Sequence, residues 1–166
     1  MLDVTTLPCG TQYVFRGAPA MAQLASAAFG LTLPEAACRA EKSAARAALW
    51  LGPDEWLLVA DGSEAEAIEA AFAAAFEGQP ASFVDVSHRT LFFQLSGPQA
   101  ARTLNGGCPL DLDMSVFPVG MCTRTVLEKA EIILWRTGPD EFQVGVWRSF
   151  AAYVRGLLEE GGRSLA

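Results

Sequence analysis

Few residues of this chain could do chemistry. Its one histidine, His88, stands beside Arg89. An imidazole next to a guanidinium could meet an anionic ligand or titrate near neutral pH. The simpler reading puts both in a turn between two strands. Arg124 and Arg136 fall in strand-like stretches, where a buried arginine could hold a carboxylate; alternation along a half-exposed sheet explains them without a ligand. The four cysteines, Cys9, Cys38, Cys108 and Cys122, contain no C-x-x-C pair. With a single histidine to complement them, no metal site is expected. They read as reduced, mostly buried thiols of a cytoplasmic protein. No G-x-G-x-x-G, G-x-x-x-x-G-K-[ST] or G-x-S-x-G occurs. The glycine turn that brings backbone N–H groups to a pyrophosphate is therefore missing, as is a nucleophile elbow. No catalytic residue is expected in this chain.

Charge narrows the partners. The 166 residues carry 12 Lys and Arg against 19 Asp and Glu, a formal net charge of -7. A chain of that sign lacks the basic field that nucleic acid requires, and anionic lipid is disfavoured for the same reason. No nucleic-acid or membrane partner is expected. This counts against a role as an RNA-modification helper. The start, Met1-Leu2-Asp3-Val4-Thr5-Thr6, has neither a basic nor an apolar leader segment, which predicts no signal peptide. The longest apolar run, Ile68 to Phe76, is broken by Glu69 and too short to span a bilayer.

The elements that position these residues repeat. Leu49-Trp50-Leu51-Gly52-Pro53-Asp54-Glu55-Trp56 recurs as Leu134-Trp135-Arg136-Thr137-Gly138-Pro139-Asp140-Glu141-Phe142 with one residue inserted. In the same order Gly17, Leu24, Leu31-Thr32-Leu33 and Ser63 match Gly97, Leu104, Leu110-Asp111-Leu112 and Ser149. The drift between copies is a few loop residues, where insertion costs little. The expectation is a single domain over 1–166, with pseudo-repeats of about 1–80 and 81–166 sharing one core and related by a pseudo-two-fold axis.

In the second copy Phe83–Val86, Leu91–Leu95, Cys122–Leu127, Ile132–Arg136 and Phe142–Trp147 read as strands. A helix opens at Ser96-Gly97-Pro98 and closes on a left-handed glycine at Asn105-Gly106-Gly107. A second helix is capped by Ser149, turns Phe150, Tyr153, Val154, Leu157 and Leu158 to one face, and ends at Gly161-Gly162. The first copy supplies a strand at Tyr13–Arg16 and a helix face of Met21, Leu24, Ala25 and Ala28. Its hairpin is 47–51 with 55–60. A capping box at Ser63 and Glu66 leads a helix with Ile68, Ala71, Phe72, Ala75 and Phe76 inward. Each half is β-β-α-β-β-β-α, an α+β fold of helices on largely antiparallel sheets. Trp50, Trp56, Trp135 and Trp147 read as core and sheet-packing residues, with some aromatic surface left for a partner.

Several blocks together carry a resemblance. They are Val84-Asp85-Val86-Ser87-His88-Arg89, Leu95-Ser96-Gly97-Pro98-Gln99-Ala100-Ala101-Arg102, Cys108-Pro109-Leu110-Asp111-Leu112, Phe117-Pro118-Val119-Gly120 and Trp147-Arg148-Ser149-Phe150-Ala151. With Leu51-Gly52-Pro53-Asp54-Glu55-Trp56 from the first half, this resembles the gamma subunit family of heterotetrameric sarcosine oxidase. The wider relatives are the folate-binding domains of the glycine cleavage T-protein (aminomethyltransferase). The resemblance implies the folate-binding-domain-like fold with swapped halves. It implies a non-catalytic subunit of a complex that demethylates sarcosine to glycine, with hydrogen peroxide and methylene-tetrahydrofolate as products. The partners implied are the alpha, beta and delta subunits, alpha most directly. FAD, FMN, NAD and tetrahydrofolate are then expected on those subunits and none on this chain. The T-protein carboxylate at the start of a central strand corresponds to Glu131; its preceding aspartate corresponds to Ala130, and its glycine-rich lead-in to Glu128-Lys129. Glu131, Arg124 and His88 are thus the candidates for a residual folate-like pocket. A stand-alone folate-dependent aminomethyl or methylene transferase is the alternative; an aromatic cage for its pteridine ring would lack a nearby carboxylate pair.

Overall fold

A computed structural model of the chain describes residues 2–165. The order is β1 (Asp3–Thr6), β2 (Thr11–Arg16), α1 (Ala22–Phe29), β3 (Ala40–Lys42), β4 (Arg46–Gly52), β5 (Glu55–Ala60) and α2 (Ala65–Ala75). It continues with β6 (Ser82–Asp85), β7 (Thr90–Ser96), α3 (Ala100–Asn105), β8 (Cys122–Leu127), β9 (Ala130–Gly138), β10 (Glu141–Trp147) and α4 (Ala151–Ser164). This is the α+β order expected from the sequence. All strand pairs are antiparallel, in two five-stranded sheets, β1-β7-β10-β9-β8 and β3-β4-β5-β2-β6. No helix among the described residues is long and apolar enough to cross a membrane.

The chain forms two compact units: an amino-terminal unit, 9–87, and a carboxy-terminal unit of 88–165 with 2–8. The division does not fall at residue 80, because each sheet takes an edge strand from beyond the repeat boundary. β1 pairs with β7 (Val4 opposite Leu95), and β6 pairs with β2 (Val84 opposite Val14). Each unit has its own apolar cluster.

In the amino-terminal unit Tyr13, Phe15, Trp56, Leu58, Ile68 and Phe72 are buried. Phe83 of β6 stacks on both Tyr13 (4.4 Å) and Phe72 (4.0 Å), tying the edge strand to the sheet and to α2. The Tyr13 phenol donates to Glu69 Oε1 at 2.9 Å. Burial, with Glu69 adding to it, pushes its pKa above the ordinary phenol value. α1 ends on Gly30 in the left-handed region (φ 69), and Arg46 donates to the Phe29 carbonyl there while pairing with Glu64. A Cβ on Gly30 would lie 2.5 Å from that guanidinium, so both backbone and packing require glycine.

In the carboxy-terminal unit Ala130, Ile132 and Leu134 of β9 and Phe142, Val144 and Val146 of β10 face α3 and α4 over the core. The 109–121 segment has little regular structure and is held by Arg136. That side chain is 4% exposed, where strand alternation suggested a half-exposed position. It donates to the carbonyls of Leu112 (3.0 Å), Phe117 (2.8 Å) and Pro139 (2.7 Å) and sits 4.7 Å from the Phe142 ring centroid. Burial lowers its pKa, and Asp140 and Asp113 oppose that shift.

Several local expectations are corrected. Ser63 does not open a capping box: Asp61 is the cap, accepting from the Ser63 hydroxyl (2.7 Å) and N–H (2.9 Å), which hold its carboxyl below the usual range. Ser149 does not cap α4 but lies in a 3-10 turn, Arg148–Phe150, which pushes Phe150 and Tyr153 out to solvent while Val154 and Leu158 stay buried. Gly161-Gly162 does not end α4; Gly162 is inside the helix, where a Cβ would come 2.8 Å from Leu2 of the strand-β1 arm. Gly106 closes α3 in the right-handed region rather than the left. Leu24 is exposed, and Ala22, Ala25 and Phe29 form the inner face of α1 instead. Among the cysteines Cys108 and Cys122 are buried, Cys38 is half-buried and Cys9 is exposed.

Candidate functional site

The sheet of the carboxy-terminal unit has a second face, opposite its core, and this face carries the site. Strand pairing sets Val126 of β8 opposite Glu131 of β9, Arg124 opposite Ile133, Ile133 opposite Gly145 of β10, and Trp147 opposite Thr90 of β7. Successive residues of a strand alternate between faces. Arg124, Val126, Glu131, Ile133, Gly145, Trp147 and Thr90 therefore all point the same way. Gly145 fits beneath an aromatic ring: a Cβ there would be 2.6 Å from Phe92 Cε1 on the neighbouring strand. These side chains, with Arg89 from the turn before β7, line a concavity of about 370 Å³.

The structure brings together two of the three sequence candidates, Arg124 and Glu131. His88 is exposed in the turn and absent from the lining, and its neighbour Arg89 contributes instead. Among the lining residues that sequence reasoning left out of the site are Val126 and Trp147. Val126 is visible only through strand register. Trp147 was read as a packing residue and is 53% exposed. Its position at the end of β10, immediately before Arg148-Ser149, was the available signal. Trp56 and Trp135 are buried as expected, and Trp50 is half-buried.

Chemically, the concavity holds two guanidiniums, one carboxylate, an indole and hydroxyls, but no pair of acids or bases set against each other. Glu131 is exposed, and the residue before it is Ala130, fully buried in the core. Glu131 is therefore the one carboxylate that this concavity offers. Among the described residues no cluster of three or more His, Cys, Asp and Glu could hold a metal ion. The amino-terminal unit has a smaller cavity, about 250 Å³, between Pro19, Trp50, Pro53 and Trp56; its one ionisable lining group is Glu35.

The model of the sarcosine oxidase, gamma subunit family matches residues 16–162. The chain belongs to the sarcosine oxidase gamma subunit family. Sarcosine oxidase subunit gamma of Arthrobacter sp is 36% identical over 137 residues, covering 81% of this chain and 66% of that protein. The subunit of the same name from Corynebacterium sp. (strain P-1) is 36% identical over 109 residues, 65% of this chain and 52% of that one. The matches thus span between about half and two thirds of these relatives' own length. Among solved structures, the heterotetrameric sarcosine oxidase from Corynebacterium sp. U-96 in complex with pyrrole 2-carboxylate contains a chain with TM-score 0.90 and 30% identity, covering 99% of this chain and 86% of that one. The glycine cleavage system aminomethyltransferase T from Bartonella henselae matches with TM-score 0.72 at 16% identity, over 95% of this chain and 45% of that one. That second likeness shows the fold: this chain shares the aminomethyltransferase-like architecture.

Within this gamma-family chain the blocks that carried the resemblance have structural work to do. Cys108 to Leu112 and Phe117 to Gly120 form the segment that Arg136 holds down. Gly52-Pro53-Asp54-Glu55 turns β4 into β5, and Glu55 pairs with Arg16 at 2.9 Å. The side chains of the Trp147-Arg148-Ser149-Phe150 block lie largely in solvent.

Proposed function

We propose that this chain is the non-catalytic gamma subunit of a heterotetrameric sarcosine oxidase, in which its role is structural. The supporting observation is its likeness, at TM-score 0.90 and 30% identity over 99% of its length, to a chain of that assembly. In this reading the alpha, beta and delta subunits are its partners, with alpha contacted most directly. They hold FAD, FMN, NAD and tetrahydrofolate, and they carry the oxidation of sarcosine to glycine. The site chemistry supports the same division of labour: the concavity offers one exposed carboxylate and two guanidiniums, without a second acid or base set against the carboxylate. The stand-alone folate transferase is disfavoured because Glu131 is the one carboxylate that the concavity offers.

Two structural expectations belong to this proposal. The first is that the halves are copies of one unit. Their matching strand orders, β6-β2-β5-β4-β3 and β1-β7-β10-β9-β8, support it, each edge strand occupying the equivalent place. The second is that they act as a single body over 1–166. A cytoplasmic location is part of the same reading, in which the four cysteines stay reduced. Co-expression with the other three subunits, one of them tagged, tests the proposal. Retention of this chain through purification is the expected result; a chain left in the flow-through refutes it.

A further inference from the structure

We infer that the exposed sheet surface around Trp147 is where a neighbouring subunit docks, and that the segment it receives presents an acidic side chain beside an apolar anchor. This rests on the assembly role proposed above and assigns it a surface.

The composition is that of a binding hot spot, in which Trp, Tyr and Arg carry most of the energy. Trp147 is 53% exposed, and Phe150 and Tyr153, which follow it on the chain, are 42% and 40% exposed. Phe150 and Tyr153 meet edge to face at 6.5 Å, forming one aromatic ledge rather than two separate side chains. Beside Trp147 the concavity of about 370 Å³ has the size of a side-chain pocket, and Val126 contributes an exposed apolar wall.

Charge selects the occupant. Arg89 and Arg124 line the concavity, and the Arg148 N–H bonds to the Arg89 carbonyl at 3.0 Å, placing a third guanidinium-bearing residue next to them. Glu131 is the one carboxylate in the lining, and Glu128 and Lys129 in the nearby turn cancel. The patch is cationic on a chain of net charge -7. A second copy docked symmetrically would set this patch against itself, arginine facing arginine, which complementarity disfavours. A different chain offering a carboxylate to Arg89 and Arg124, and a hydrophobic side chain to Trp147 and Val126, satisfies both features.

The test uses the co-expressed assembly with wild-type chain, Trp147→Ala and the double change Arg89→Glu with Arg124→Glu, alongside Glu35→Ala in the other cavity as a control. Circular dichroism melts of each isolated chain report folding separately. The expected result is unchanged melting, roughly tenfold lower recovery of both patch variants with the tagged partner, full recovery of Glu35→Ala, and weaker wild-type retention at high salt. Folded patch variants recovered like wild type overturn the inference while leaving the subunit role intact. Loss of wild type itself overturns both. A wild-type self-dimer that these variants dissolve would assign the face to a second copy and overturn it as well.

Discussion

Arg136 is the residue on which the carboxy-terminal unit depends most visibly. It is a buried charge satisfied by carbonyl oxygens instead of a carboxylate, and it joins β9 to the irregular 109–121 segment. Arg136→Leu would leave several buried carbonyls without a donor. A loss of about 3 kcal/mol in urea unfolding is expected; a change within experimental error would mean that the segment holds itself. Arg136→Lys should recover only part of the loss, because an ammonium cannot span carbonyls arranged for a planar fork. The sequence placed Arg136 on a strand but could not show its burial: the partners come from residues 112, 117 and 139, and three-dimensional proximity leaves no periodic trace. Tyr13 carries a pH prediction. Its folded-state pKa is raised, so its contribution to stability is complete below the ordinary phenol value of about 10 and is lost as pH climbs through the folded value. Wild type should therefore lose more stability than Tyr13→Phe between neutral and strongly alkaline pH. Parallel losses in urea midpoints would contradict the assignment.

At the scale of elements, the candidate face exists because β10 passes a glycine beneath the Phe92 ring. Gly145→Ala should cost about 1–3 kcal/mol through overpacking, and Phe92→Leu in the same chain should recover part of it, measured by thermal or denaturant unfolding. A neutral Gly145→Ala would show that the ring moves aside freely. Strands with clear alternation were legible, and β8 runs over the residues expected for it, Cys122–Leu127. β1 and β3 went unassigned because both are short and polar, and they become strands by pairing with β7 and β4. The register that sets Glu131 opposite Val126 was likewise hidden, since alternation says that a residue faces outward but not which neighbours it meets. Helix ends were misplaced where 3-10 turns intervene. The turn before α4 shifts the helix so that Phe150 and Tyr153, read as core, become surface.

At the scale of the whole molecule, two apolar clusters and two five-stranded sheets provide a frame with no redox motif, while most of its largest exposed aromatic surface lies in one seven-residue stretch, Trp147 to Tyr153. Such surface on an otherwise well-buried chain is what an obligate partner covers. The central claim is that this polypeptide holds a place in an assembly whose electron chemistry lies elsewhere. Native mass spectrometry of the purified co-expressed complex tests that claim most directly. The account predicts a single species with one copy of each of the four chains, every flavin leaving with the other subunits when the complex is dissociated. A complex that forms without this chain, or a flavin that stays on it after dissociation, would contradict the account.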